Sequence, residues 1–392
     1  MRKKLCIAIQ RYGTEIVGGA EAYCRAYAEK LSKLYELEVI TTCALDYQEW
    51  SNHYSEGLCD VNGVKVRRFK VDLQRNQKLF ADLTQNIYNN SDHSVELAKT
   101  WIDAQGPLSK GLIDFIDENR DSFDLFIFMS YLYYHTAVGL PIVKEKAILI
   151  PFAQNEPPIY IRTYKEIFTG CKGIIYNTEE EMVFIQNHFK NKDTPSVLTG
   201  IGIDVPLKSE YEGKDRAFKL TSPYILYMGT IDSSKGCDTL FEYFKEYKKQ
   251  YKNDLKLVLT GKEIMKVPKS KDIISLGFVA EEEKYAVLSN CIALVLPSHF
   301  ECLAIAVLEA FALEKPVLVS GQCDVLKGHC VKSNAGLYFY ESIDFLECLD
   351  LLYNKPELRA AMGINGKEYV DKNYQWNVIM EKLTKFLNNQ CE

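Results

Sequence analysis

Two glutamates, Glu301 and Glu309, stand eight positions apart in a stretch with almost no other charge. From Cys302 to Leu313 the chain is apolar except for Glu309. A lone carboxylate among alanines, leucines and a phenylalanine is costly to bury unless it finds a partner. That partner is either a donor from the protein or hydroxyl groups of a ligand. Lys315-Pro316 closes the run, and residues 294–298 and 317–321 on either side read as buried strands. The pattern is strand, loop, helix, strand, as in a parallel sheet. At 1.5 Å per helical residue the acids are roughly 12 Å apart along the axis. That places Glu301 just before the helix and Glu309 two turns inside it. Between them lies a helix N-terminus, whose free N–H groups and dipole suit a phosphate. The arrangement fits an elongated ligand with hydroxyls at both ends and phosphates between, such as a nucleotide sugar. The plainer reading of Glu309 is one solvated acid on an amphipathic helix.

The elements that must position these residues form two series. Residues 5–9, 39–43, 64–69, 125–129, 148–152, 173–176 and 196–200 read as strands of the first half. Residues 224–228, 255–260, 273–277, 294–298, 317–321 and 336–339 read as strands of the second. A chain of 392 residues accommodates two such α/β domains. The expected divisions are an N-terminal domain over 1–205, a charged linker over 206–223, a second domain over 224–373 and a closing helix over 374–392. Residues 76–118 read as a mainly helical, polar insertion.

In the first half, Gly13, Gly18 and Gly19 do not make G-x-G-x-x-G, which disfavours a nicotinamide cofactor. Gly18-Gly19-Ala20-Glu21 opens a helix and is either a capping turn or a place where backbone approaches a ligand. Ser130 to His135 and Gln154-Asn155-Glu156-Pro157-Pro158 follow strands, at the sheet edge where ligands collect. Tyr131, Tyr133 and Tyr134 either stack on a sugar or pack, and His135 reads as structural.

Several function classes are excluded. Net charge is −6 and neither half is basic, so nucleic acid is not an expected partner. Twelve cysteines contain no C-x-x-C, and many lie in apolar runs as small hydrophobes. With no signal-peptide pattern and no membrane-spanning run, a cytoplasmic location is expected. Arg67, Arg68, Lys70, Arg75 and Lys78 form a loose basic group, read as a solvated face or as a patch for peripheral contact at the inner face of the membrane. Cys323, His329 and Cys330 lack the fourth ligand and spacing of a zinc site.

Glu301-x7-Glu309, preceded by Leu296-Pro297-Ser298 and followed by Lys315-Pro316-Val317, resembles the retaining family-four glycosyltransferases (glycosyl transferases group 1) of the GT-B fold. Gly18-Gly19-Ala20-Glu21, Gly200-Ile201-Gly202-Ile203-Asp204 and Lys235-Gly236 extend the resemblance over nearly the whole chain. It implies two Rossmann-like domains facing a cleft, and transfer of a sugar from a nucleotide donor with retention of configuration, in cell-surface glycan or polysaccharide synthesis. Lys235 would hold the diphosphate, with the N–H groups of Leu303 and Ala304. Glu301 would hold the donor sugar's hydroxyls and Glu309 the ribose. Phe278 and Val279 would meet the base, and Gly18 and Gly19 the diphosphate or the acceptor. Gln154, Asn155 and Glu156 would line the sugar and acceptor side. The acceptor would be a glycan, a lipid-linked molecule or a protein. No D-x-D is present, so neither a metal nor another cofactor is expected. Two departures stand out. Gln154 replaces a common histidine, and Thr230 replaces an arginine that holds the diphosphate. They leave two other readings open: a non-catalytic nucleotide-sugar-binding subunit of a glycosylation complex, and an epimerase on the same fold.

Overall fold

The computed structural model describes residues 2–16, 18–90, 92–214 and 221–391. The chain forms two compact units, one of residues 1–201 and 380–392, the other of residues 202–379.

The first unit is built on eight strands: β1 (Lys4–Ala8), β2 (Glu36–Thr42), β3 (Gly57–Val61), β4 (Val64–Phe69), β5 (Leu125–Met129), β6 (Ala147–Ile150), β7 (Gly173–Tyr176) and β8 (Ser196–Leu198). Their order across the sheet is β3-β4-β2-β1-β5-β6-β7-β8. All pairings are parallel except β3 with β4. Helices cover the faces, so the central strands are buried throughout and apolar throughout, as in Leu125-Phe126-Ile127-Phe128-Met129. The insertion forms three helices, Gln77–Asn89, Val95–Gln105 and Lys110–Glu118. Trp101 anchors them at 1% exposure.

Strand β3 was not legible from apolar runs, because it is an exposed edge strand. Its signal lies in the turn. Asn62 and Gly63 both have positive φ, 54° and 79°, the pattern of a tight hairpin turn.

The second unit has six strands: β9 (Tyr224–Met228), β10 (Lys256–Thr260), β11 (Ile273–Ser275), β12 (Ala293–Leu296), β13 (Val317–Ser320) and β14 (Gly336–Phe339). Their order is β11-β10-β9-β12-β13-β14 and every pairing is parallel. Chain order runs outward from β9 in one direction and from β12 in the other. Such a reversal separates the loops that leave the two strands and creates a binding crevice at their carboxyl ends. In the first unit the corresponding reversal lies between β1 and β5.

Part of the stretch read as a linker is ordered. Lys208–Tyr211 is helical, and Tyr211 packs with Tyr285 and Ala286 of the second unit. Residues 215–220 of that stretch lie outside the described residues. The closing helix spans Trp376–Gln390. Its residues from Met380 onward belong to the first unit, where the Tyr35 hydroxyl donates to Asn388 at 2.9 Å.

Candidate active site

The carboxyl ends of β9 and β12 bring Lys235 and Glu301 together. After β9, Asp232 accepts from the Ser234 N–H at 2.7 Å and caps a short turn, Ser233–Lys235. Gly236 follows with φ of +73°, and a Cβ there would lie 2.6 Å from the Pro297 carbonyl oxygen. Only glycine allows the β9 loop to rest on the β12 loop so closely. The Ser298 hydroxyl donates to the Lys235 carbonyl at 3.4 Å across the same seam. Lys235 Nζ then reaches Glu301 Oε1 at 2.8 Å. Burial works against the Lys235 charge, but the Glu301 carboxylate outweighs it and holds its pKa above the ordinary lysine value. The Lys235 side chain keeps 38% of its exposure and Glu301 20%, so the pair remains open to a ligand.

The next helix runs from Ile305 to Ala312. It begins later than the apolar pattern implies, because Ala304 adopts a left-handed conformation with φ of 55° and ψ of 58°. Glu309 is therefore little more than one turn inside the helix, not two. Leu303 and Ala304 are buried, at 4% and 7% exposure, and form the turn that opens it.

Glu309 finds protein partners. Its Oε1 accepts from Lys284 Nζ at 2.8 Å and from the Tyr285 hydroxyl at 3.0 Å. Tyr285 also lies 3.2 Å from the carbonyl of Asp204. Both donors come from the helix Glu281–Asn290. Thr230 is exposed, and its carbonyl accepts from the Tyr227 hydroxyl at 2.7 Å. Phe278 projects from the end of β11 at 68% exposure, with Val279 half-buried beside it.

In the first unit, Gly18 caps the helix Gly19–Leu31 without a side chain. The Glu21 carboxylate curls over it, and a Cβ on Gly18 would meet Glu21 Oε2 at 2.0 Å. Arg11 Nε and Gln10 Nε2 each donate to Glu21 Oε1 at 3.0 Å. A Cβ on Gly19 would meet nothing within 4 Å. Beyond β6, Gln154 Nε2 lies 3.5 Å from Glu156 Oε2, and the Tyr131 hydroxyl donates to Glu156 Oε1 at 2.9 Å. Asn155 is exposed and accepts from the Tyr160 hydroxyl at 2.6 Å. Gln154 Oε1 is buried without a hydrogen-bond partner among the described residues.

Glu181, missed in the sequence, holds this loop. Its Oε1 accepts the Ala153 N–H at 2.7 Å and its Oε2 the Asn177 N–H at 2.7 Å. Burial pushes its pKa from the ordinary 4.5 up to about 7. The signal was present as Thr178-x-x-Glu181, a capping-box pattern. His135 is buried at 1% exposure and donates from Nε2 to the Met129 carbonyl at 3.0 Å, a structural role.

The basic group is largely consumed by the fold. Arg67 pairs with Glu38 at 2.6 Å, Arg68 donates to the Tyr12 carbonyl at 2.7 Å and Arg75 donates to Gln105 Oε1 at 2.9 Å. Among the described residues no group of three or more His, Cys, Asp or Glu could hold a metal ion, and no helix is long and apolar enough to cross a membrane.

Residues 209–369 match the family model described as glycosyl transferases group 1. That segment is similar to the group 1 glycosyltransferases. An uncharacterized glycosyltransferase of Haemophilus influenzae is 29% identical over 204 residues, covering 50% of this chain and 55% of that protein. The capsular polysaccharide biosynthesis glycosyltransferase CapM of Staphylococcus aureus is 26% identical over 178 residues, covering 41% of this chain and 45% of its own. The chain thus matches about half the length of these relatives. Sucrose-phosphate synthase from Thermosynechococcus elongatus superimposes with a TM-score of 0.72 at 15% identity, covering 99% of both chains. Anabaena HepE, solved with UDP and glucose, gives 0.72 at 12% identity over 99% of this chain and 100% of its own. The chain therefore has the GT-B fold, with two Rossmann-like halves.

Proposed function

We propose that this chain is a group 1 glycosyltransferase that transfers a sugar from a nucleoside diphosphate donor to an acceptor with retention of configuration, without a metal ion. The observation that carries the reading is the Lys235–Glu301 pair at the β9–β12 reversal, beside the N-terminus of the helix Ile305–Ala312. The donor diphosphate would meet Lys235 Nζ and the N–H groups at Leu303 and Ala304. As the bond from the anomeric carbon to the phosphate breaks, negative charge grows on the leaving phosphate, and oriented donors stabilise it. The leaving phosphate takes the acceptor hydroxyl proton, and the acceptor oxygen bonds to the anomeric carbon on the same face. Glu301 would hold sugar hydroxyls, releasing Lys235 toward the phosphate. Glu309 Oε1 already serves Lys284 and Tyr285. A ribose contact would therefore use its second oxygen. Phe278 is exposed where a base could stack.

The name of CapM supports a role in polysaccharide synthesis, and the UDP held by HepE makes UDP-sugars the first donors to test. The experiment incubates the protein with UDP-, GDP- and ADP-sugars and an acceptor extract, and follows products by proton NMR with and without a chelator. An α-linked donor should give an α-linked product, unaffected by chelation. A product of inverted configuration would overturn retention. Donor binding without any turnover would favour the non-catalytic subunit, for which the neutral Gln154 and Thr230 speak.

A further inference from the structure

The Leu303 carbonyl oxygen lies 2.9 Å from Nε2 of His329, a residue of the helix Asp324–Ser333 with 1% exposure. The other ring nitrogen, Nδ1, is 3.2 Å from the Tyr369 hydroxyl, which is 3.3 Å from the Tyr374 hydroxyl. A carbonyl only accepts, so Nε2 carries the proton and Nδ1 accepts from Tyr369. Burial keeps this ring neutral, its pKa pushed down from 6.5 to about 4.

In a trans peptide the C=O and the N–H point in opposite directions. The Leu303–Ala304 peptide is trans, and Ala304 is the residue held at φ of 55°. With the Leu303 oxygen tied to His329, the Ala304 N–H must point away from His329. No described residue accepts from that N–H. A buried main-chain donor without a partner is uncommon unless a ligand or water completes it.

We propose that His329 is the positioning residue of the phosphate-binding turn. It holds the Leu303–Ala304 peptide plane so that the Ala304 N–H, and the helix N-terminus it opens, face an anion rather than the core. This rests on the reading of that turn as the diphosphate site. A ring that only filled space would be replaceable by another ring. A ring that orients a peptide through its N–H would not.

The test compares His329→Phe, which keeps the ring but loses the donor, with His329→Gln, whose amide restores one. Calorimetric titration uses UDP and GDP, with uridine and guanosine as phosphate-free controls. The phenylalanine variant should lose about tenfold in diphosphate affinity and less than about twofold in nucleoside affinity, and glutamine should recover most of the loss. The Ala304 amide resonance of the free protein should move in the phenylalanine variant and return in the glutamine variant. Unchanged diphosphate affinity in His329→Phe overturns the proposal. If the wild-type protein binds neither diphosphate, the diphosphate reading falls. The amide then decides about His329, and an unmoved resonance refutes it. Should His329→Phe fail to fold, Tyr369→Phe carries the test, since it frees the ring at Nδ1. An Ala304 resonance unmoved there refutes it as well.

Discussion

Lys235 Nζ and Glu301 Oε1 stand 2.8 Å apart although 66 positions separate them in the chain. Each is the other's counter-ion before any donor arrives, which keeps a half-buried cation in place and charged. Removing Lys235 therefore has two effects. Lys235→Ala should lower turnover by about a hundredfold or more, on the scale of a lost oxyanion donor. It also leaves Glu301 unpaired. Glu301→Gln should cost turnover too, and the double variant should lose less than the sum of the two. Additive losses in a double-mutant cycle on kcat/KM would show that the pair does not act as a unit.

Glu309 gives a second prediction. Glu309→Gln keeps an acceptor for Tyr285 but gives up the ion pair with Lys284, a partly exposed pair contributing about 1 kcal/mol or less. The melting temperature should thus change little. If the second carboxylate oxygen holds ribose hydroxyls, affinity for UDP should fall about tenfold, while affinity for the 2′,3′-dideoxy diphosphate should not change. Equal losses for both nucleotides would restrict Glu309 to fastening the helix Glu281–Asn290.

The sequence carried most of the architecture, and the reasons lie in particular residues. Strands such as β5 and β9 are buried on both faces, so their apolar runs were unmistakable. Glu301 was picked out by its spacing from a second acid and Lys235 by the family resemblance, and the fold sets the two side chains 2.8 Å apart. What escaped was set by tertiary contact. No local pattern in 302–304 announces that Ala304 turns left-handed, since the anchor of that turn is His329, which lies 26 positions from Leu303. Lys284 and Tyr285 as partners of Glu309 were hidden likewise, because their helix has no amphipathic periodicity to show which way they face: it is acidic in its first turn and buried from Tyr285 to Leu288.

Thr230 tests the charge at the diphosphate site directly. Its side chain is exposed, so an arginine can be introduced without displacing the core. Thr230→Arg should tighten UDP binding, and the gain should shrink as salt rises, because a part-exposed cation is screened. Weaker binding, or a gain indifferent to salt, would show that the loop does not direct residue 230 at the phosphates.

Gln154 addresses the sugar side. Its Oε1 is buried without a protein partner and its Nε2 is only loosely tied to Glu156. An amide both donates and accepts, so it suits sugar hydroxyls without titrating. Gln154→Ala should lower kcat more than it lowers UDP affinity, because the contact is to the sugar. If only Gln154→His transfers, the wild-type chain is a binder rather than a catalyst.

The last prediction concerns acid. Burial pushes the pKa of His135 and His329 from 6.5 down to about 4 each. Between these values the unfolded chain binds protons that the folded chain refuses, so stability falls as pH drops from 6.5 toward 4. Each histidine is worth about 3 kcal/mol over the full window. Glu181 acts in the opposite sense. Its pKa rises from 4.5 to about 7, so the folded chain holds a proton that the unfolded chain releases. Its contribution is complete below 4.5 and fades as pH rises through 7. His135 and Glu181 share the first unit and oppose one another, whereas His329 stands in the second without such a counterweight from a buried acid of raised pKa among the described residues. Hydrogen exchange followed peptide by peptide from pH 7 to 4.5, corrected for intrinsic rates, should show the second unit losing protection first. His329→Gln should flatten that loss while leaving the first unit's profile unchanged. If the two units lose protection in parallel, or the glutamine variant keeps the acid slope, the buried neutral imidazole is not its source.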